Sequence, residues 1–532
     1  MADTDWFLTA AERGNPDTAI DRRHPDRLPF TSGNEVRPLV HGATYFPLLH
    51  QCIEQLQAGD QLLFTDWRGD PDQRLRPDGP TVSSVIAAAA RRRVVVKGLI
   101  WRSHLDRLSF SEQENRHLGE EINAAGGECL RDMRVRPGGS HHQKFVVLRH
   151  PNRSEQDVAF VGGIDLCHSR LDDETHPGDP QRQPMAAVYG PRPPWHDVQV
   201  AVQGPAVDDV DWVFRERWSD PAPLTRNPVD VVGDIVRGED RSPGPLPPQL
   251  PVPEPRGSAH VQLLRTYPRR HPAYPFARQG ERSVARGYDK ALGRAQRLVY
   301  LEDQYLWSAE VMSAFARALA GNPQLRLIAI IPLHPDQDGR MSLPLNLIGR
   351  WRALRELYRA GGDRVAVYGV QNQAGTPIYV HAKVCVIDDV WASVGSDNLN
   401  RRSWTHDSEL ACAVIDERRD ERQPQVLDRF GDGARVFARE LRLQLAAEHL
   451  GRDRSDVADL IDPAALFDEF AASADRLQAW ARNPTGPRPP GQLVRYPMPE
   501  LSRWTQLWTA VPYRFVYDPD GRPLRLRWRH RF

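Results

Sequence analysis

Apolar positions along the chain follow two rhythms that alternate. Leu48, Leu49, Cys52, Ile53 and Leu56 have the spacing of a helix burying one face, and after Gly59-Asp60 the run QLLFTDW predicts a buried strand. The order returns at 284–296, where Val284, Tyr288, Leu292 and Ala295 form the stripe and RLVYLEDQYLW follows. A helix and a second apolar strand come next in both places, TVSSVIAAAARRRVVVKGLIW and SAEVMSAFARALAGNPQLRLIAIIPL. Longer helical patterns then end at Gly126-Gly127 and Gly361-Gly362, which read as helix C-caps. Landmarks in the two stretches keep a nearly constant offset, so the pattern predicts two tandem α/β units with mixed sheets packed around a pseudo-twofold axis.

Segments between and around the repeats differ in composition. The run SDPAPLTRNPVDVVGDIVRGEDRSPGPLPPQLPVPEPRGS, 219–258, carries prolines that cannot sit inside a helix or central strand and reads as a linker. The predicted division is an N-terminal extension 1–33, a first half 34–218, the linker 219–258, a second half 259–450 and a small C-terminal extension 451–532. In that extension a helical stretch over 455–482 leads to YRFVYDPDGRPLRLRWRHRF. There Arg525, Arg527, Arg529 and Arg531 alternate with Leu526, Trp528 and Phe532, which predicts a strand with one basic and one apolar face.

Composition narrows the picture. With 70 Lys plus Arg against 70 Asp plus Glu, the chain has no overall field to gather a polyanion, and no basic stretch flanks the motifs below, which weighs against nucleic acid as partner. The five cysteines never fall in a CxxC pair and are expected to be reduced thiols, with no zinc knuckle. The N-terminus has no apolar core of signal-peptide length and no run reaches the ~18 residues of a membrane span, so a cytoplasmic protein, free or peripheral to a membrane, is expected.

Chemistry enters with a repeated triplet, HHQKFVV at 141–147 and VHAKVCVI at 380–387. On a strand, the His and Lys of HxK share a face. Two copies at a pseudo-twofold axis would bring His142, Lys144, His381 and Lys383 to one site, two imidazoles for nucleophile and acid and two cations for an anionic oxygen. Each triplet precedes a glycine turn, VGGIDL and VGSDNL, so Ser396 and Asn398 are candidates to bind phosphate oxygens, with Gly163 and Asp165 as their counterparts. Aligning HDVQVAV with SELACAV sets Asp197 opposite Glu409, candidates to orient the imidazoles. His141 and His168 lack counterparts and are neighbours or substrate contacts at best, while Asp388 and Asp389 read as a hairpin closure.

These motifs resemble the phospholipase D superfamily, whose signature is HxKxxxxD followed by GSxN, twice in one chain. HAKVCVIDDVWASVGSDN matches fully, with Asp388 at the acid position. HHQKFVVLRHPNRSEQDVAFVGGIDL departs from it, with Arg149 at the acid position and Asp157 as a substitute candidate. FVGGIDLC, PWHDVQVAVQGPAVDDVDWVFRERW, LVYLEDQY and IIPLHPD also look like stretches of eukaryotic-type and bacterial phospholipases D, so the likeness spans residues 34 to 445.

The resemblance implies a phosphohistidine mechanism with no metal or other cofactor. His142 would attack phosphorus and His381 would protonate the leaving alcohol, then activate water or a second alcohol. Lys144, Lys383 and Asn398, with Ser396, would hold the phosphoryl oxygens, and Glu302 and Gln304 would line the pocket opposite Asp66 and Arg68. It also implies a monomer acting on phospholipid at a membrane surface, with no room for a lipid-binding domain ahead of residue 34. The insertion HPGDPQRQPMAAVYGPRPPW, 176–195, reads as a lid, and the basic and aromatic C-terminal strip either contacts anionic head groups or forms an edge strand. A cardiolipin-synthase-type transferase, a nuclease and a non-catalytic module of the same fold remain as alternatives.

Overall fold

The computed structural model describes residues 5–103, 112–337, 339, 342–424, 432–529 and 532. In the first half the strands are β1 (Thr31–Val40), β2 (Gln61–Asp66), β3 (Val95–Trp101), β4 (Glu128–Asp132), β5 (Phe145–Arg149), β6 (Val158–Gly162), β7 (Trp195–His196) and β8 (Val198–Gln203). The second half and the C-terminal segment supply β9 (Ala259–Tyr267), β10 (Glu281–Arg282), β11 (Leu298–Asp303), β12 (Arg326–Ile330), β13 (Val365–Val370), β14 (Tyr379–Val380), β15 (Lys383–Ile387), β16 (Trp391–Gly395), β17 (Glu409–Asp416) and β18 (Leu493–Arg495).

Among the described residues, hydrogen bonding links 16 strands in the order β18-β13-β12-β11-β15-β16-β17-β9-β1-β8-β6-β5-β2-β3-β4, with β10 beside β9. Read outward from the β9–β1 junction, each half repeats the same seven-strand order, and β1 meets β9 antiparallel. That is the predicted pseudo-twofold relation. The outer strands β2-β3-β4 and β11-β12-β13 run parallel. Their crossovers are helices such as Val82–Arg91 and Ala309–Gly321, and because helices cover them the central strands β2, β11, β12 and β13 are mostly apolar.

Three large cores hold the layers. One lies under the outer helices of the first half and includes Phe46, Leu62, Ile86 and Phe160; its equivalent in the second half includes Tyr288, Leu301, Phe315 and Ile387. The third is shared, with Val147, Val161 and Val200 packing in one cluster with Val384, Val394 and Cys412 and with the helices Ala206–Trp218 and Val436–Leu450. Neither half buries this third core by itself.

The linking segment departs from the sequence reading. Residues Pro228–Arg237 form a helix, capped by Asn227, which accepts from the Val229 amide at 3.1 Å, with Pro228 in the first turn, where a missing N–H costs nothing. Asp234 of that helix anchors it through Arg102 at 2.6 Å and Arg131 at 3.1 Å. The N-terminal segment is also part of the fold, since Trp6, Phe7 and Leu8 belong to the second half's outer core and the strand boundary falls at Thr31. In the C-terminal segment the alternating residues do not form a strand: Arg503–Pro512, Tyr513–Tyr517 and Leu524–Trp528 are helical, and Arg531 lies outside the described residues. The strand this segment does provide is β18, which pairs with β13.

Candidate active site

Each HxK strand begins against the other half's acidic strand. The His142 amide donates to the Ser408 carbonyl at 3.0 Å, and the His381 amide to the His196 carbonyl at 2.7 Å. That register places the next residue, Glu409 or Asp197, beside the imidazole of the opposite half. His142 Nδ1 lies 2.9 Å from Glu409 Oε2, and His381 Nδ1 lies 2.7 Å from Asp197 Oδ2. The orienting pairs are therefore crossed. A carboxylate at Nδ1 fixes the tautomer and leaves Nε2 free to face a reacting group.

The two lysines are held by equivalent devices. Lys144 Nζ donates to the His142 carbonyl at 3.1 Å, lies 3.3 Å from Asp165 and sits over the Trp67 ring at 5.8 Å. Lys383 Nζ donates to the His381 carbonyl and, at 3.1 Å, to Gln304 Oε1. An indole stands beside each imidazole, Trp67 at 6.1 Å from His142 and Trp195 at 5.0 Å from His381.

The glycine turns explain their own difference. Ser396 Oγ donates to Glu409 at 2.6 Å and accepts from the Leu410 amide at 3.1 Å, so it braces the carboxylate that orients His142 instead of reaching toward phosphate. At the equivalent position a Cβ on Gly163 would stand 2.2 Å from Asp197 Oδ1, which leaves no space for a serine. Asn398 is buried and keeps its place as a candidate ligand, its side-chain NH2 being the group able to donate to a phosphoryl oxygen. Asp165 is an anion between Lys144 and Arg170, which lies 3.1 Å from its other oxygen; it positions cations and would repel phosphate.

Three other expectations change. Pairing sets Thr65 opposite Phe145 and Glu302 opposite Val384, so the match of Glu302 and Gln304 with Asp66 and Arg68 is shifted by one: Asp303 corresponds to Asp66 and Gln304 to Trp67. Asp66 accepts from the Leu166 amide and Asp303 from the Leu399 amide, each at 2.8 Å, tying the glycine turn to its neighbouring strand. Glu302 does not line the pocket and is fully buried among His196, His449 and Tyr300. His141 is equally buried, bound to Ser408 Oγ at 2.8 Å and to Thr65, which removes it as a substrate contact.

The acid of the signature is structural. Asp388, in the turn between β15 and β16, accepts from the amides of Gln296, Arg297 and Leu298 at 2.6, 2.8 and 2.8 Å, and burial pushes its carboxyl up to about 6. In the first half Asp157 performs a related task, accepting from the His150 amide at 2.7 Å, while Arg149 pairs with Asp157, Asp208 and Asp211. The insertion 176–195 is strapped to the second half: the Ala186 amide donates to the Asp336 carbonyl at 2.7 Å, and β7 pairs with β14.

Sequence reasoning did not single out Arg170. It is buried, pairs with Asp165, lies over the Trp195 ring at 4.0 Å and adds a third cation near His381. Burial first, then Lys383, Arg170 and Lys144, hold the His381 imidazole well below its usual range, outweighing the attraction of Asp165. The crossed pairs show that both halves contribute to one site. Burial likewise brings Lys383 down to about 8, against the attraction of Asp197.

A two-unit α/β fold with crossed His–carboxylate pairs and two facing lysines defines a phosphoryl-transfer class of site. The family model for phospholipase D matches residues 120–314 and 364–508, and the chain belongs to that superfamily. A model described as the PLD-like domain of cardiolipin synthase matches residues 288–430. Among curated proteins, phospholipase D alpha 1 of Oryza sativa subsp. japonica is 26% identical over 546 residues, and phospholipase D alpha 2 of Arabidopsis thaliana is 25% identical over 603. The alignments cover 78% and 87% of this chain and 65% and 71% of those proteins. The crystal structure of phosphatidylserine synthase from Haemophilus influenzae Rd KW20 aligns with a TM-score of 0.47 at 14% identity, over 72% of this chain and 82% of that one.

Proposed function

We propose that the protein is a phospholipase D-type phosphodiesterase that transfers the phosphatidyl group of a glycerophospholipid to water or to an alcohol. The observation that carries this reading is the crossed pairing of His142 with Glu409 and His381 with Asp197 between Lys144 and Lys383. His142 Nε2 forms a bond to phosphorus as the bond to the head-group oxygen breaks, and His381 gives that oxygen its proton. His381 then takes a proton from water or alcohol, whose oxygen displaces His142 and releases phosphatidate or a new phosphatidyl ester. Lys144, Lys383 and Asn398 receive the charge on the phosphoryl oxygens. His381 starts neutral, and the arriving phosphodiester supplies negative charge among three cations, so substrate binding draws a proton onto it.

A lipid substrate is supported by the C-terminal helices. Trp504, Leu507, Val511, Phe515, Leu524 and Trp528 are exposed among Arg503, Arg514, Arg525 and Arg527, an apolar and basic surface suited to anionic bilayers. The segment is anchored beside the site: Arg401 Nε donates to the Asp518 carbonyl at 3.0 Å, and Arg136 to that of Gly521 at 2.9 Å. Among the described residues no helix is long and apolar enough to cross a membrane, so docking at a surface is the route proposed. The match to the cardiolipin-synthase domain favours a phosphatidyltransferase as the second reading.

Both readings are tested with phosphatidylcholine vesicles with and without ethanol, and with phosphatidylglycerol vesicles. Phosphatidylethanol formed by the wild type and not by His142→Ala supports the first; cardiolipin formed without phosphatidate supports the second. No product from any phospholipid overturns both.

A further inference from the structure

Behind the active site lies a buried cluster of four histidines and two glutamates that the phosphoryl chemistry does not use. His41, between β1 and the helix Gly42–Glu54, His176 of the insertion and His196 of β7 converge on Glu448 of the helix Val436–Leu450. Glu448 Oε2 lies 2.9 Å from His41 Nε2, and Oε1 lies 3.2 Å from His176 Nε2 and 3.1 Å from His196 Nδ1. One ligand atom from each of the four lies within 4.8 Å of all the others. Such edges suit tetrahedral ligands about 2 Å from a metal, but they suit N–H···O hydrogen bonds equally well.

The outer nitrogens separate the two cases. His196 Nε2 faces Glu302 at 2.6 Å, so this ring has a carboxylate at each nitrogen. His176 Nδ1 faces the Trp195 carbonyl at 3.1 Å, so it too meets acceptors on both sides. A neutral imidazole has one N–H to give. Without a cation the two rings, with centroids 5.9 Å apart and His41 packed against each, satisfy both nitrogens only as buried imidazolium or against a protonated carboxyl. With a cation on the inner nitrogens every ring is neutral, and the outer N–H of His196 and of His176 donates to a carboxylate or a carbonyl, the arrangement by which ligating histidines are oriented. Glu302 is itself braced by His449 at 2.8 Å and Tyr300 at 2.6 Å.

The backbone points the same way. His41 has φ 68° with ψ 159°, a region that glycine alone adopts freely, and His176 has φ 54°. Neither position has the glycine that would relieve it. Both are consistent with side chains whose direction is fixed by a shared ligand.

We propose that His41, His176, His196 and Glu448 bind a structural divalent transition metal, with zinc the best match to three imidazoles and one carboxylate. All four protein ligands are in place, the three histidines buried and the Glu448 side chain 8% exposed, which leaves no open position for substrate. The ion would clamp the insertion, β7 and the first half's opening turn onto a second-half helix. It would thereby fix Asp197, whose carbonyl accepts from the His41 amide at 2.8 Å.

The test is elemental analysis of protein made without a polyhistidine tag and dialysed against metal-free buffer. One zinc per chain is expected, with the thermal midpoint lowered by a strong chelator and restored by Zn2+, and with the intense visible bands of tetrahedral cobalt after Co2+ replacement. Glu448→Gln is expected to lose the ion. Because that variant can also fail to fold, the wild-type chelation and restoration stands as a separate criterion. Protein carrying far less than one ion, with a midpoint indifferent to chelator and to Zn2+, overturns the proposal, as does full zinc content in folded Glu448→Gln.

Discussion

His142 and His381 each owe their orientation to a carboxylate from the opposite half, and this crossing makes their roles separable. Replacing either acid with its amide leaves the shape and removes the charge that favours one tautomer, a change worth on the order of 10²–10⁴ in turnover in comparable His–carboxylate pairs. A phosphodiester with p-nitrophenol as leaving group needs no general acid. Asp197→Asn is therefore expected to recover a burst of p-nitrophenol with such a substrate while Glu409→Gln does not, and the reverse result would exchange the two histidines. Lys383 gives a second expectation. Burial lowers its ammonium to about 8, so the cation is present below that pH and lost above it. A pH profile of kcat/KM should fall on the alkaline side with an apparent pKa near 8, and Lys383→Arg, which stays charged, should be slower but flat there. At this scale the sequence shows the four His and Lys positions and both acids, because spacing and repeat carry them. It does not show Ser396 as a brace for Glu409 or Gly163 as the space for Asp197, since both depend on contacts across the fold.

Helices and strands were legible wherever the period was clean. The stripe at Leu48–Leu56 and the run at 61–67 correspond to the helix Gly42–Glu54 and to β2. One reading was incomplete and one failed, each for a physical reason. Prolines marked 219–258 as a linker, yet Pro228 starts a helix because the first turn needs no proline N–H. The alternation of Arg525, Arg527 and Arg529 resembled a strand, but the Tyr513 ring packs with Trp307, Leu345 and Ile348 and the segment coils into short helices. The hairpin acid was read correctly, and it yields a stability prediction. Asp388→Ala strips an acceptor from three backbone amides at the start of β11, at ~1–3 kcal/mol for each that stays unsatisfied. Denaturant unfolding should show a loss of about 3 kcal/mol after partial relaxation, with the rate per folded molecule nearly unchanged. A much larger loss of turnover than of stability would give Asp388 a direct part in the chemistry.

Among the described residues one 16-stranded sheet runs through both halves across the β9–β1 junction, over a core that both halves share. Each half carries one histidine and the other's carboxylate, so neither alone contains an oriented imidazole. The halves expressed separately should be inactive, and activity on mixing would measure how far they reassemble. The sequence announced this duplication but not its crossing, since a repeat defines equivalent positions and leaves open which copies touch. The same scale bears on the proposed docking of a lipid surface. Trp504 is 71% exposed, Phe515 69% and Trp528 84%, interspersed with arginines and carried on helices tied to the site's rim through Arg401 and Arg136. Buried in an interface, each such aromatic contributes a few kcal/mol at ~25 cal/mol per Å² of apolar area, and nearby arginines add about 1 kcal/mol each on anionic lipid. The triple variant Trp504→Ala, Phe515→Ala, Trp528→Ala should bind anionic vesicles at least tenfold more weakly and hydrolyse vesicle lipid correspondingly slowly. Its rate on a monomeric short-chain phospholipid should match the wild type. Equal loss on both substrates would make these helices part of the pocket wall, and no loss on either would place the membrane on another face.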